Sequence, residues 1–163
     1  MLTPLIVAGV AALALTGAGG LLTEIGPWYR QLRKPSWQPP DWLFGPAWTL
    51  ILALAAWSAA LAWTTAPTAG ERTIVVILYS LNAFFHLVWS PLFFKFKQPD
   101  WALLEVPLLW LSILAPMVAV APFSPLASWL LLPYLLWVSF AAYLNLTIVR
   151  LNGPFAVRHL STK

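Results

Sequence analysis

The chain has 163 residues, 61% of them hydrophobic and 9% charged, with a mean hydropathy of +0.80 and a net charge of +4. A soluble domain carries roughly 25% charged residues, so this composition excludes one and points to a single all-α membrane domain spanning 1–163. Cysteine is absent, which excludes disulfides, thiolate metal sites and cysteine nucleophiles.

A membrane-crossing helix needs about 20 mostly apolar residues. Five such stretches follow in order, at about 4–22, 43–65, 73–94, 101–121 and 126–149. Residues 1–23 carry no charged side chain, so the basic start of a signal peptide is missing and a retained first helix is expected. Between the first two spans lies a long Pro/Trp-rich loop, WYRQLRKPSWQPPDWLFGPAW over 28–48. Pro27, Pro35, Pro39, Pro40 and Pro46 cannot all sit in regular helix, because each lacks a backbone donor and clashes with the preceding turn. The loop therefore reads as a stiff, aromatic, non-helical lid. Pro122 and Pro125 make the turn between the last two spans.

Five spans put the 24–42 loop, the 95–100 loop and the C-terminal tail on one side, with Arg30, Arg33, Lys34, Lys95, Lys97, Arg150, Arg158 and Lys163. The other side carries Arg72 alone. The positive-inside rule then places the loop 24–42 and the C-terminus in the cytoplasm. Topology thus accounts for the net charge, and no basic face suited to nucleic acid is left over.

Trp42, Trp63, Trp101 and Trp129 fall at span ends, where an interfacial aromatic belt explains them. Trp48, Trp57, Trp89, Trp110 and Trp137 lie inside spans, where it does not. On the third span Asn82, His86, Trp89 and Phe93 share one face. Asn and His in hydrocarbon need partners, so they serve either as interhelical hydrogen bonds or as ligand contacts. A lone His86 does not make a closed metal site, and no metal is expected. On the fifth span Tyr134, Trp137, Ala141 and Leu144 share a face, either for helix packing or as a slot for a flat apolar ligand. Phe44, Trp48 and Ala55 repeat the pattern on the second.

Glu105 is the only carboxylate that falls within a span, about one turn in, where the helix dipole favours a capping role. Small residues recur every four positions at Ala8, Ala12, Thr16 and Gly20, and again at Ala55 and Ala59, suited to packing within the chain or to a homodimer seam. There is no paired-carboxylate, nucleophile–histidine or phosphate-loop motif, so hydrolase and nucleotide-driven pump functions lack support. A channel would need a ring of charges or a filter, and neither is present.

Three separated motifs resemble a known family. Trp28-Tyr29, Leu32, Lys34-Pro35, Trp37, Pro39-Pro40, Trp42, Phe44 and Trp48-Thr49 look like the first-loop motif of the translocator protein family (TspO/MBR, the tryptophan-rich sensory proteins or peripheral benzodiazepine receptors). Trp89-Ser90-Pro91-Leu92-Phe93-Phe94 resembles its third-helix motif, and Pro133-Tyr134-Leu135-Leu136-Trp137 with Ala141 and Leu144-Asn145 its fifth.

The resemblance implies a five-helix bundle, a homodimer, and a pocket closed by the first loop. It implies binding of tetrapyrroles such as protoporphyrin IX and haem as ligands, with no required cofactor, in transport or stress sensing. Animal members bind cholesterol and benzodiazepine-type drugs. An alternative is light-dependent oxidative breakdown of bound porphyrin, with Trp48 and Trp137 in the catalytic role; another is a structural, partner-docking protein. The ligand-binding residues expected on this basis are Tyr29, Trp37, Phe44, Trp48, Asn82, His86, Trp137, Ala141 and Leu144. Arg30, Arg33 and Lys34 are expected to meet propionates.

A bacterial membrane is expected, or the mitochondrial outer membrane in a eukaryote. Two departures stand out. His86 occupies the position where the family carries asparagine. Tyr143 and Arg150 are separated by six residues, one too many for the sterol motif.

Overall fold

A computed structural model describes residues 2–155. All its regular elements are helical: α1 (Leu2–Leu22), α2 (Pro27–Gln31), α3 (Asp41–Thr65), α4 (Ala69–Ser90), α5 (Pro99–Val120), α6 (Pro125–Leu130) and α7 (Leu132–Asn152). A π-helical turn, Pro91–Lys95, continues α4, and α6 with α7 forms one interrupted span. Five helical spans are thus long and apolar enough to cross a bilayer, and the chain is an integral membrane protein.

The breaks follow the prolines. Pro91 cannot donate to the preceding turn, so the helix widens, and Phe96 N–H reaches back five residues to the Pro91 carbonyl at 2.8 Å. Pro133 likewise interrupts the fifth span at Leu131. Pro46 is absorbed inside α3, in its second turn. The lid is not wholly non-helical as expected: Pro27 opens the short α2, because the first helical position needs no donor. The third span begins four residues before the expected Thr73, because Thr68 and Glu71 form a capping box.

The core is made by α3, α5 and α7, where Ile51, Ile113, Tyr134 and Val138 are buried together. Ser58 on α3 donates to the Ala127 carbonyl at 2.6 Å and shares a hydrogen bond with Tyr79. In contrast, α1 buries none of its residues. Its small-residue row faces inward: Ala8 and Ala12 border one cavity together with Ala55 and Ala59 of α3, and Thr16 and Gly20 border another. The row thus lies on the side of α1 that faces α3.

The lid, the α4–α5 connection and the end of α7 lie at one end of the bundle. Phe155 N–H donates to Asp100 there at 3.0 Å. Arg30, Arg33, Lys34, Lys95, Lys97 and Arg150 belong to this end, while Arg158 and Lys163 lie outside the described residues. The belt tryptophans Trp42, Trp63, Trp101 and Trp129 are all exposed.

Candidate functional site

Beneath the lid is a cavity of about 460 Å³. From α3 it takes Phe44 and Trp48, from α4 His86 and Trp89, and from α7 Trp137, Ala141 and Leu144. Tyr29 of α2 borders it from above. The 3.6-residue repeat brings His86, Trp89 and Phe93 of α4 to one side, and the π-helical turn ends with Phe93 and Phe94 both buried below Tyr29.

The rings form a connected group. Trp48 stands 6.3 Å from Trp137 at 87° and 4.9 Å from His86 at 66°, and Phe44 meets Trp137 edge-on at 5.7 Å. Such edge-to-face pairs hold ring orientations beyond what area burial alone would. One donor is unsatisfied: the buried Nε1–H of Trp137 has no hydrogen-bond partner. His86 is buried, and its Nδ1 lies 3.3 Å from the Tyr134 hydroxyl.

Two expected residues lie elsewhere. Trp37 is not in the cavity wall; it is exposed and stacks on Tyr143 of α7 at 5.2 Å, with Phe140 beside it. Asn82 sits one turn away from His86, donates to Ser112 Oγ of α5 at 3.0 Å, and borders the second cavity. That cavity, about 440 Å³, lies between α1, α3 and α4. Leu15 and Leu52 border both spaces and separate them.

The lid is latched by polar groups that periodicity does not reveal. Tyr29 Oη donates to Asp41 at 3.1 Å, and Gln38 Nε2 donates to both Tyr29 Oη and Asp41. Lys34 lies 3.8 Å from the Asp41 carboxylate and 3.6 Å over the Tyr29 ring. Burial, the Asp41 charge and the hydrogen bond to Asp41 push the Tyr29 phenol up to about 12. Arg30, Arg33 and Lys34 are not in the cavity wall, so the expectation that they meet a ligand's acid groups there is not met; Lys34 is engaged with Asp41.

Glu105 also departs from expectation. Asp100 occupies the first turn of α5, whereas Glu105 is buried one turn further in, with neither carboxylate oxygen hydrogen-bonded. It does not cap the helix. Asn145, with its amide oriented to donate to the Pro99 carbonyl and accept from Leu103 N–H, both at 3.2 Å, joins α7 to the start of α5. Asn145, Asp41 and Trp89 border the cavity without having been expected there. Trp89 was legible as a neighbour of His86 on the same helix face; the other two carried no periodic signal.

A helical membrane protein with a lidded, ring-lined cavity is the class these features define. The model of the TspO/MBR family matches residues 5–151, and the chain belongs to that family. It is 42% identical over 142 residues to the tryptophan-rich protein TspO of Chlorobaculum tepidum, covering 86% of this chain and 90% of that one. It is 35% identical to protein CrtK of Rhodobacter capsulatus over 86% of this chain and 88% of that one. The translocator protein of Homo sapiens is 36% identical over 77% of this chain and 75% of its own.

Proposed function

We propose that the chain binds flat amphipathic molecules, tetrapyrroles above all, in the cavity beneath the lid, and serves their transport or the sensing of stress. The observation that carries this reading is the cavity under the lid, walled by the rings of Phe44, Trp48, Trp89 and Trp137. Large apolar sites with a few polar groups are the usual form of small-molecule pockets. Aromatic faces suit a macrocycle. The lid end of the bundle, with its excess of Lys and Arg, faces the cytoplasm in this reading, and the membrane is bacterial. A homodimer is the expected assembly.

Titration with protoporphyrin IX tests it. Saturable quenching of tryptophan fluorescence at micromolar ligand is the expected result, weakened in Trp137→Ala; absence of saturation in the folded protein overturns it.

A second reading rests on the perpendicular pair Trp48 and Trp137, 6.3 Å apart in the cavity wall. Two adjacent indoles suit an oxidative breakdown of illuminated porphyrin in which dissolved dioxygen is the oxidant. A product that forms in the parent protein and not in Trp48→Phe or Trp137→Phe is its signature.

A further inference from the structure

We propose that the second cavity, between α1, α3 and α4, is a lipid site: it takes one acyl chain of an anionic phospholipid from the leaflet away from the lid, with the headgroup phosphate at Arg72. The inference stands apart from the tetrapyrrole reading, because it concerns a different space and different side chains.

The walls are those of a slot for hydrocarbon. Ala8, Ala11 and Ala12 of α1 face Ala55, Ala56 and Ala59 of α3 across it. Methyl side chains leave a narrow channel with no ring to stack a flat ligand on. The polar groups along it are already used: Tyr79 shares a hydrogen bond with Ser58, and the Asn82 amide donates to Ser112 of α5 at 3.0 Å. What remains to meet a guest is apolar surface, and an apolar guest is what such a wall favours.

Length sets the kind of guest. On α1 the lining runs from Thr3 to Leu15, and on α3 from Leu52 to Trp63. At 1.5 Å per residue these stretches cover about 16–18 Å of helix axis. That is close to half of a hydrocarbon core about 30 Å thick, the depth one acyl chain reaches. The slot runs along the bundle, from Thr3 and Trp63 at the end away from the lid to Leu15 and Leu52 at its inner end.

The slot is open on its flank. Val7 of α1 and Val76 of α4 line it, yet they are 64% and 51% exposed. A chain therefore has a way in sideways between α1 and α4, while the second chain of the same lipid stays in the bilayer. This favours a phospholipid of the surrounding leaflet over a guest that must be wholly enclosed.

Charge sets the headgroup. On α4 the lining residues Val75, Val76, Tyr79 and Ala83 follow Arg72 at three, four, seven and eleven positions, so Arg72 continues their face to the membrane surface. Its guanidinium lies 5.8 Å over the ring of Trp63, which borders the slot. Among the described residues Arg72 is in no ion pair and is the one Lys or Arg at this end. The neighbouring Glu71 carboxylate is held by the Thr68 backbone and hydroxyl. A guanidinium free of protein anions beside the entrance matches a phosphate.

The experiment uses the full chain in phosphatidylcholine nanodiscs doped with a phosphatidylglycerol that carries a diazirine in one acyl chain. After illumination, peptide mass spectrometry is expected to find label on the inner face of α1 and on α3, at Ala8, Ala12, Ala55 and Ala59. A phosphatidylcholine probe with the same tail labels these positions less. Ala8→Leu, which narrows the slot, removes the inner-face label. Arg72→Gln leaves the slot intact and lowers the preference for phosphatidylglycerol about fivefold, the worth of one basic side chain at a lipid surface; it decides the matter if Ala8→Leu does not fold. Saturating protoporphyrin IX leaves the label in place.

Label confined to the outward residues Leu2, Ile6 and Leu13 overturns the inference, as does equal inner-face labelling by both headgroups or label that survives Ala8→Leu. So does inner-face label from a diazirine fatty acid but not from the phospholipid, which makes the guest a free acid. Loss of label with protoporphyrin IX assigns the space to the lidded site, and loss in nanodiscs holding two copies assigns the opening to a second chain; either result overturns it too.

Discussion

Asn152 grips the backbone of Arg33 from both sides: its Oδ1 accepts from the Arg33 N–H at 2.7 Å and its Nδ2 donates to the Arg33 carbonyl at 2.8 Å. The end of α7 is thereby fastened to the middle of the lid. Asn152→Ala removes both bonds at an exposed site, so the loss is about 1–2 kcal/mol of lid closure rather than of global stability. Stopped-flow quenching is expected to show faster tetrapyrrole release, with the thermal midpoint nearly unchanged.

The latch at the other side of the lid is sensitive to alkali. The Tyr29 phenol is raised from 10.0 to about 12. Because the folded state holds the proton more tightly, the latch contribution is complete below pH 10. It is lost as pH rises through about 12, when a phenolate faces the Asp41 carboxylate. A difference titration of near-ultraviolet phenolate absorbance between the parent chain and Tyr29→Phe is expected to show the late-titrating tyrosine. Ligand release accelerates over the same interval in the parent chain only.

Shortening Trp137 separates two roles of one side chain. Trp137→Phe keeps much of the ring contact with Phe44 and Trp48 but removes an N–H that is buried without a partner. Binding of protoporphyrin IX is expected to change little. Trp137→Ala removes the ring from the cavity wall and weakens binding. Equilibrium fluorescence titration with the remaining tryptophans as reporters measures both.

Ser58 tests the core rather than the site. It is fully buried and joins α3 to α6 and α4 through Ala127 and Tyr79. Ser58→Ala leaves both partners unsatisfied and is expected to lower stability by about 1–3 kcal/mol. Thermal unfolding in detergent followed by circular dichroism reads the change, and Ser58→Thr tests whether restoring the hydroxyl recovers it.

Hydrophobic run length located all five spans because a bilayer demands it, and the largest shift of an end, at the start of the third span, came where Thr68 and Glu71 form a capping box. Helical spacing also brought Phe44, Trp48, His86, Trp137, Ala141 and Leu144 into one wall. It failed for Asn82 because a shared face is wide enough to serve two neighbours. One turn separates a residue that meets α5 from one that meets the cavity. Trp37 shows the limit in the lid, where no period applies and the ring found a stacking partner on the outside of α7. The latch of Tyr29, Gln38, Lys34 and Asp41 depends on how an irregular loop folds back, which spacing does not encode.

The partition formed by Leu15 and Leu52 has a consequence for what the bundle accommodates. Leu15 of α1 and Leu52 of α3 border both the space under the lid and the space beside α1. A change in the size of either side chain is therefore expected to alter both spaces at once. Because α1 is anchored by no buried side chain of its own, such a change disturbs little else. Leu15 and Leu52 are thus the side chains through which the size of one space bears on the other.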